Sequence, residues 1–349
     1  MISQWQECEN TIKQGVSGPV LWRCLKCQGG LQARSSESVK CQSCDADYPA
    51  VDGIPDLRPR GASTARYEQE DLEAARKYSA DLRDASVDTV MAQLSHRPED
   101  NDATQVMRVK QIMGAPPKFH HQFDGWLKPC AMLDGQLLDV GCGSGGLLAA
   151  AAAKGIWAAG IDASMTNLVA AKHMIEAHGG PARLACAYAE ALPIGNARVT
   201  AVTMYDSIEH VSSVRSTISE ACRVLKPGGH LAISTPNRFS LTREPHVLVW
   251  GVGWLPRLLQ EPYVRWRIGQ PYNHTRLMST WEMARELRHH HEIQFEFRIP
   301  PVPQEEIANF SQRRATLANF YNRISGWSVL RPVMLGIGPF YQVIGRRSA

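Results

Sequence analysis

The stretch Gln136-Leu-Leu-Asp-Val-Gly-Cys-Gly-Ser-Gly-Gly-Leu-Leu148 governs how the rest of the chain reads. Apolar residues lead into Asp139, four glycines fall between positions 141 and 146, and an alanine-rich run follows. This is the pattern of a strand, a tight loop and a helix. Glycine is needed where the backbone turns with positive φ and where a ligand must approach the main chain. Gly155-Ile-Trp-Ala-Ala-Gly-Ile-Asp-Ala163 then reads as a second strand ending in Asp162.

Gly141, Gly143 and Gly146 satisfy G-x-G-x-x-G, and Asp162 lies 21 residues after Gly141, so a dinucleotide site has to be weighed. Charge decides against it. Asp139 at the mouth of the loop would repel a pyrophosphate, but it suits a ligand with a sulfonium, an ammonium group and no phosphate.

Asp139-Val-Gly-Cys-Gly-Ser-Gly145 resembles the first motif of the class I S-adenosylmethionine-dependent methyltransferases, and the likeness runs from about residue 116 to the C-terminus. It implies an α/β, Rossmann-like fold with a mostly parallel seven-stranded sheet. It implies cofactor contacts from Asp139, Gly141, Cys142, Gly143 and Gly145 in the loop, with Cys142 a small packing residue, and from Asp162 and Ala163 at the ribose. Leu184-Ala-Cys-Ala-Tyr-Ala-Glu-Ala-Leu-Pro-Ile194 resembles the third strand and the adenine loop, adding Tyr188, Ala189 and Glu190. The family usually has Asp where Tyr188 stands, which leaves a backbone contact from Ala189 and stacking by Tyr188. The fourth strand, from Val199, adds Tyr205, and Lys226-Pro-Gly-Gly229 resembles the turn that launches the fifth strand.

Ligands of open α/β sheets bind beyond the carboxyl ends of the strands. The fourth strand delivers Asp206, Glu209 and His210 there. Methyl transfer to a hydroxyl needs alignment and a base, and His210 is the natural candidate. Asp206-x-x-Glu209-His210, with Ser234-Thr-Pro-Asn-Arg238, is similar to the ubiquinone O-methyltransferases, where such a group can hold a divalent ion. That implies either Mg²⁺ at Asp206, Glu209 and His210 or, with no ion, a helix start or a wall of the cofactor pocket. Residues 239–280 are placed as a substrate lid. His246 to Arg267 interleaves Trp250, Trp254 and Trp266 with arginines, which suits a hydrophobic lid, contact with anionic lipid, or a nucleic-acid stacking platform. Tyr272-Asn-His274-Thr-Arg276 supplies His274 as a second base candidate.

Upstream, Cys24-x2-Cys27 and Cys41-x2-Cys44 are separated by thirteen residues. Two such knuckles make a closed tetrahedral S4 site for a structural zinc. With Leu21–Leu31 and Tyr48-Pro-Ala-Val-Asp-Gly-Ile-Pro-Asp-Leu57, they resemble the zinc-ribbon activating subunit of tRNA, rRNA and release-factor methyltransferases, over about residues 20–58. The expected layout is a ribbon at 1–58, a linker and helical connector at 59–115, and a catalytic domain at 116–349. Leu72, Ala75, Tyr78 and Leu82 set a helical period from Arg66 to about Arg97, and a second helix is expected through Val106, Val109 and Met113.

Composition bounds these readings. The 349 residues, 44% hydrophobic and 21% charged, exclude disordered, collagen-like and coiled-coil classes. Nothing at Met1–Cys8 resembles a secretory signal, and no run of about 18 apolar residues lacks a charge. The protein is expected in the cytoplasm, with peripheral contact at the inner membrane face through 246–268. From Arg238 onward there are 15 Arg, no Lys, no Asp and 8 Glu, a charge of +7. The expected activity is O-methylation of a small or lipid-linked metabolite such as a quinone precursor, a polyketide or a glycan intermediate. An RNA methyltransferase is the alternative, favoured by the ribbon and the arginines. Against it, Met204-Tyr-Asp-Ser207 stands where amino-group methyltransferases carry Asn-Pro-Pro-Tyr.

Overall fold

The computed structural model describes residues 22–59, 65–95, 112, 113, 119, 127, 135–273, 275–308 and 310–348. The first strands among the described residues form a four-stranded antiparallel meander of β1 (Leu31–Ser35), β2 (Ser38–Cys41), β3 (Asp47–Val51) and β4 (Ile54–Pro55). Two helices follow, α1 (Ala65–Leu82) and α2 (Val87–Ser95). The single helical pattern expected over 66–97 is thus broken between Leu82 and Val87. Ser86 Oγ accepts the Thr89 amide and starts a new helix, an N-cap that apolar periodicity does not register. Of the second expected helix, only 112 and 113 lie among the described residues, and both are helical.

The main sheet is built from β5 (Leu137–Val140), β6 (Ala158–Asp162), β7 (Leu184–Cys186), β8 (Val199–Tyr205), β9 (Leu225–Pro236), β10 (Ile293–Arg298) and β11 (Phe340–Arg347). Its order is β10-β11-β9-β8-β5-β6-β7, with β11 antiparallel to both neighbours and the other pairs parallel. The mostly parallel seven-stranded sheet is therefore present. Every residue of β5 is buried, as expected of a central parallel strand covered on both faces. The covering helices are α3 (Gly146–Ala153), α4 (Met165–Ala177) and α5 (Val214–Val224). Lys226-Pro-Gly-Gly229 does not form a separate turn. It is drawn into β9 as a kink with Gly228 at φ +78, where the pairing with β8 shifts register.

Two insertions stand on the β9–β11 side. The first carries α6 (Arg257–Ile268) and α7 (Thr280–Leu287); the second carries α8 (Gln304–Ala308), α9 (Gln312–Ser325) and α10 (Arg331–Ile337). Val249, Val252, Val264 and Tyr272 form a small core of the first insertion's own. No described helix is long and apolar enough to cross a membrane.

The meander completes the main sheet. Leu57 donates its amide to Cys186 O at 2.7 Å, and Arg23 donates to Pro193 O at 2.8 Å, so ribbon backbone covers the otherwise open edge at β7. Trp22, Leu31, Val39 and Leu57 share one core with strands of the main sheet, and Val51 and Ile54 share the other with α1 and α4. The two units are therefore packed through continuous apolar contact.

Arg58 locks this junction. Its side chain has no exposed surface. Nε and Nη2 donate to the two oxygens of Asp56, Nη1 to Asp71 Oδ2 and Ala163 O, and Nη2 also to Glu68 O, all between 2.9 and 3.2 Å. The five N–H donors of the guanidinium thus meet five acceptors from the ribbon, α1 and the end of β6. Removing a buried charge leaves its partners uncompensated, at a cost of about 3–5 kcal/mol. Arg58→Ala is expected to lose stability on that scale in urea unfolding; a loss under about 1 kcal/mol would mean that the buried pairing is not the lock.

Candidate active site

The strand order reverses between β5 and β8, because the chain proceeds from β5 to β6 and β7 on one side and returns through β8 and β9 on the other. A cavity of about 480 Å³ opens at that point, beyond the carboxyl ends of the strands. The glycine loop forms its floor. Gly141 sits at φ +76, and a Cβ there would come within 2.4 Å of Ser207 Cβ. Gly143, at φ +50, faces open space, so any side chain would enter the cavity.

Asp162 ends β6 with its carboxylate in the cavity wall. Oδ2 accepts the Gly143 amide at 2.9 Å, while Oδ1 accepts Ser164 N at 2.9 Å and Asn167 Nδ2 at 3.3 Å. Burial pushes its pKa up against the pull of those donors. Asp139 lies deeper. It is 3% exposed, accepts Thr203 Oγ1 at 2.8 Å, and is pushed up to about 7 by burial, opposed by that hydrogen bond and reinforced by the charge of Asp162.

Of the residues expected at a cofactor, Gly141, Gly143, Asp162, Ala163, Tyr188, Ala189 and Glu190 line the cavity. Asp139, Cys142, Gly145 and Tyr205 do not. Asp139 is turned to Thr203, Cys142 is buried under the loop, Gly145 packs against Ala171, and Tyr205 sets its ring edge-on to Phe119 at 4.9 Å. Glu190 is also engaged structurally, accepting the amides of Ser212 and Ser213. Tyr67, Ser164, Asn167 and Thr217 line the cavity without having been singled out in the sequence. Tyr67 comes from α1, outside the catalytic motifs, so local pattern gave no signal for it.

Asp206 and His210 reach the opposite end of the cavity. Asp206 has φ +48 and donates its amide to Ser234 O at 2.8 Å. His210 sets its ring at right angles to His246, with centroids 4.9 Å apart. Glu244, 5% exposed, holds His246 Nδ1 at 2.6 Å and also accepts the amides of His246 and Val247. Burial alone would lower the His246 pKa, but it is outweighed by the bond to Glu244 and the charges of Glu244, Glu209 and Asp206, so the net shift is upward. In the sequence His246 registers only as the start of an apolar run, and Glu244-Pro-His246 is the local signal for this pair. His274 lies outside the described residues.

The expected Mg²⁺ group is not assembled as written. The described residues that could share an ion here are Glu209, His210 and His246, with ligand atoms within 4.8 Å, and Asp206 is not among them. Two imidazoles and one carboxylate do not suit Mg²⁺, which prefers an all-oxygen octahedral shell. Glu209 is 1% exposed. Its Oε2 accepts Thr235 Oγ1 at 2.9 Å, and burial holds its pKa up.

In the ribbon the four Sγ atoms of Cys24, Cys27, Cys41 and Cys44 lie within 4.8 Å, with Cys24–Cys44 at 3.6 Å and Cys27–Cys41 at 3.5 Å. Zinc–sulfur bonds of about 2.3 Å in a tetrahedron require sulfur separations of about 3.8 Å, so the donor set fits that ion. Amides of Lys26 and Ser43 point at Cys24 and Cys41 sulfurs at 3.4 and 3.3 Å.

A family described as a methyltransferase domain matches residues 138–233. The chain is 38% identical over 117 residues to a ubiquinone biosynthesis O-methyltransferase of Paracidovorax citrulli, covering 33% of this chain and 49% of that protein. It is 31% identical over 157 residues to a protein of the same description from Methylobacterium sp. (strain 4-46), covering 43% and 61%. The chain thus spans about half the length of the curated relatives it matches. Among solved structures, an S-adenosylmethionine dependent methyltransferase from Mesorhizobium loti superposes with a TM-score of 0.43 at 19% identity, over 64% of this chain and all of that one.

The raised Asp139 pKa has a definite sign. A carboxyl held near 7 in the folded state and near 4 when unfolded makes the native protein bind the extra proton, so its contribution to stability falls as pH rises from about 4 to about 7. The difference in unfolding free energy between Asp139→Asn and wild type, in the absence of added ligand, is expected to grow in the variant's favour across that range. A flat difference would place the Asp139 pKa in the ordinary range.

Proposed function

We propose that this protein is an S-adenosylmethionine-dependent O-methyltransferase acting on a small acceptor hydroxyl carried on an apolar or lipid-linked body, with a structural zinc in its ribbon. The observation that carries the reading is a cavity lined by both the Asp162 carboxylate and His210, with the Glu244-buttressed His246 ring set edge-on against His210. A carboxylate facing a vicinal diol and a histidine facing the transferable group are the two demands of this chemistry. The relatives named as ubiquinone biosynthesis O-methyltransferases support oxygen as the acceptor atom.

S-adenosylmethionine supplies the methyl group as an electrophilic sulfonium. Gly141 and Gly143 leave room for it along the backbone, and Asp162 binds the ribose hydroxyls. His246 takes the proton as the acceptor oxygen attacks, because Glu244 fixes the Nδ1–H tautomer and leaves Nε2 basic. His210 orients the acceptor from the cavity rim. The cysteine cluster, with a closed donor set, holds the ribbon and takes no part in the transfer.

The protein, supplied with S-adenosylmethionine, is expected to methylate members of a panel of phenols and catechols, favouring those with an apolar tail. A base must be neutral, so the rate should rise with pH through the raised His246 pKa, and Glu244→Gln should move that acid limb to lower pH and reduce kcat by about 10²-fold. Transfer to nitrogen acceptors alone, or an acid limb unmoved in the variant, would overturn the assignment.

The insertion surface favours delivery from a lipid interface. Trp250, Trp254, Leu258, Leu259, Trp266 and Ile268 are all more than 40% exposed, with Arg267 among them. Arg267 lies over the Trp266 ring, and Arg265 pairs with Glu261. In flotation with vesicles containing anionic phospholipid, the wild type should float and Leu258→Ala/Trp266→Ala should stay at the bottom. Equal recovery of both would remove the lipid contact.

A further inference from the structure

Beyond the cavity's glycine loop and acids, two of its elements are held by residues of the ribbon and α1, and a third is supplied by α1 itself. The first is the turn after β6. Asp71 of α1 reaches across to the start of α4, where Oδ2 accepts Met165 N at 2.7 Å and Oδ1 accepts Ser164 Oγ at 3.1 Å and Thr166 Oγ1 at 3.2 Å. This is the turn whose Ser164 amide and Asn167 side chain bind Asp162. Arg58, the last residue of the ribbon's docking segment, fastens the same turn through Ala163 O and fastens Asp71 itself. The second element is Tyr188, whose hydroxyl donates to Glu68 Oε1 at 2.7 Å, Glu68 being 6% exposed. The third is Tyr67, the neighbour of Glu68, in the cavity wall itself.

We propose that the ribbon sets the affinity for the nucleoside end of the cofactor: Arg58 and Asp71 position the 162–167 turn, and α1 presents Tyr67 and the Glu68–Tyr188 pair as the wall against that end. The inference rests on the cofactor reading above and extends it to residues that reading does not use. An α1 free of the ribbon would be held on α4 more loosely, since Arg58 donates both to Asp71 and to the Glu68 carbonyl. A loosened helix would leave Asp162 with a mobile turn and Tyr188 without its acceptor. Arg58 and Asp71 are positioning residues here; Tyr67 and Tyr188 are the contact residues.

The chemistry of the contact is specific. A tyrosine ring presents a flat apolar face to a purine, and Tyr188 is held in one orientation by a buried carboxylate. The contact does not distinguish the sulfonium from the thioether, because it lies at the other end of the ligand. S-adenosylmethionine and S-adenosylhomocysteine should therefore respond alike to any change in it.

The test is calorimetric titration of the full-length, zinc-loaded protein with each of the two ligands. Asp71→Asn, Glu68→Gln and Tyr188→Phe each remove one link while keeping shape. Each is expected to weaken both ligands by the same factor, about 5- to 30-fold, the range of one or two lost hydrogen bonds. The paired variant Glu68→Gln/Tyr188→Phe should be little worse than either single change, because both break one bond. In turnover assays the loss should fall on KM for S-adenosylmethionine. Arg58→Lys, which keeps the charge but supplies three donors in place of five, should weaken binding while the melting transition stays cooperative. Wild-type binding with unchanged dissociation constants in all four single variants overturns the inference and leaves the cofactor reading standing. Absence of binding by the wild type overturns both.

Discussion

A single buried guanidinium holds the two parts of this molecule in register. Arg58 has five donors and five acceptors, and those acceptors come from the segment after the last ribbon strand, a connector helix and the turn after a strand of the main sheet. Burying a charge is tolerable only when every donor is satisfied and counter-charge is close, and Asp56 and Asp71 supply both. The geometry of the junction is therefore narrow. The ribbon must pair with β7, so that Asp56 and Arg58 arrive together, and α1 must lie on α4, so that Asp71 reaches the turn after β6. The sheet edge, the connector and the floor of the cavity follow from that one arrangement.

The cavity is built around a contrast between two acids. Asp139 is sunk beneath the loop and held near neutrality by burial, while Asp162 stands in the wall with its carboxylate gripped by two amides and an amide side chain. Asp162 raises the local negative potential, and Asp139 adds to it only as it deprotonates, at a site without compensating cations among its lining residues. That field rejects phosphates and favours a cationic ligand. At the far end, Glu244 and Glu209 place two further buried carboxylates around His246, so the field that attracts the cation also keeps this imidazole basic.

Charge counted along the chain proved a poor guide to the arginine-rich C-terminal part. Arg238 and Arg257 share Glu282, Arg265 pairs with Glu261, and Arg298 pairs with Glu296. Glu282 is pulled down to about 2 by the amide of Ser279 and by these arginines, which outweigh its burial. Several arginines thus build the insertion internally and do not form a free cationic face. The glycine loop, Asp162 and the cysteine pairs were legible because each is a short local motif whose spacing dictates its geometry. Tyr67, Glu68 and Asp71 were not, because each acts on a partner far away in the chain, 120 residues apart in the case of Glu68 and Tyr188; Glu244 and His246 form a local pair, but its placement against His210 is long-range.

The sequence by itself determined the fold class, the glycine loop with its two acids, and the cysteine knuckles. These depend on backbone conformation and on side-chain alternation, which are properties of a few consecutive residues. Only the tertiary structure decided that the ribbon completes the edge of the main sheet, that α1 contributes Tyr67 to the cavity wall, and that Glu244 and His246 are brought against His210. Those choices are made by burial and by long-range pairing of charges, and a buried partner becomes visible only when the chain has closed upon itself.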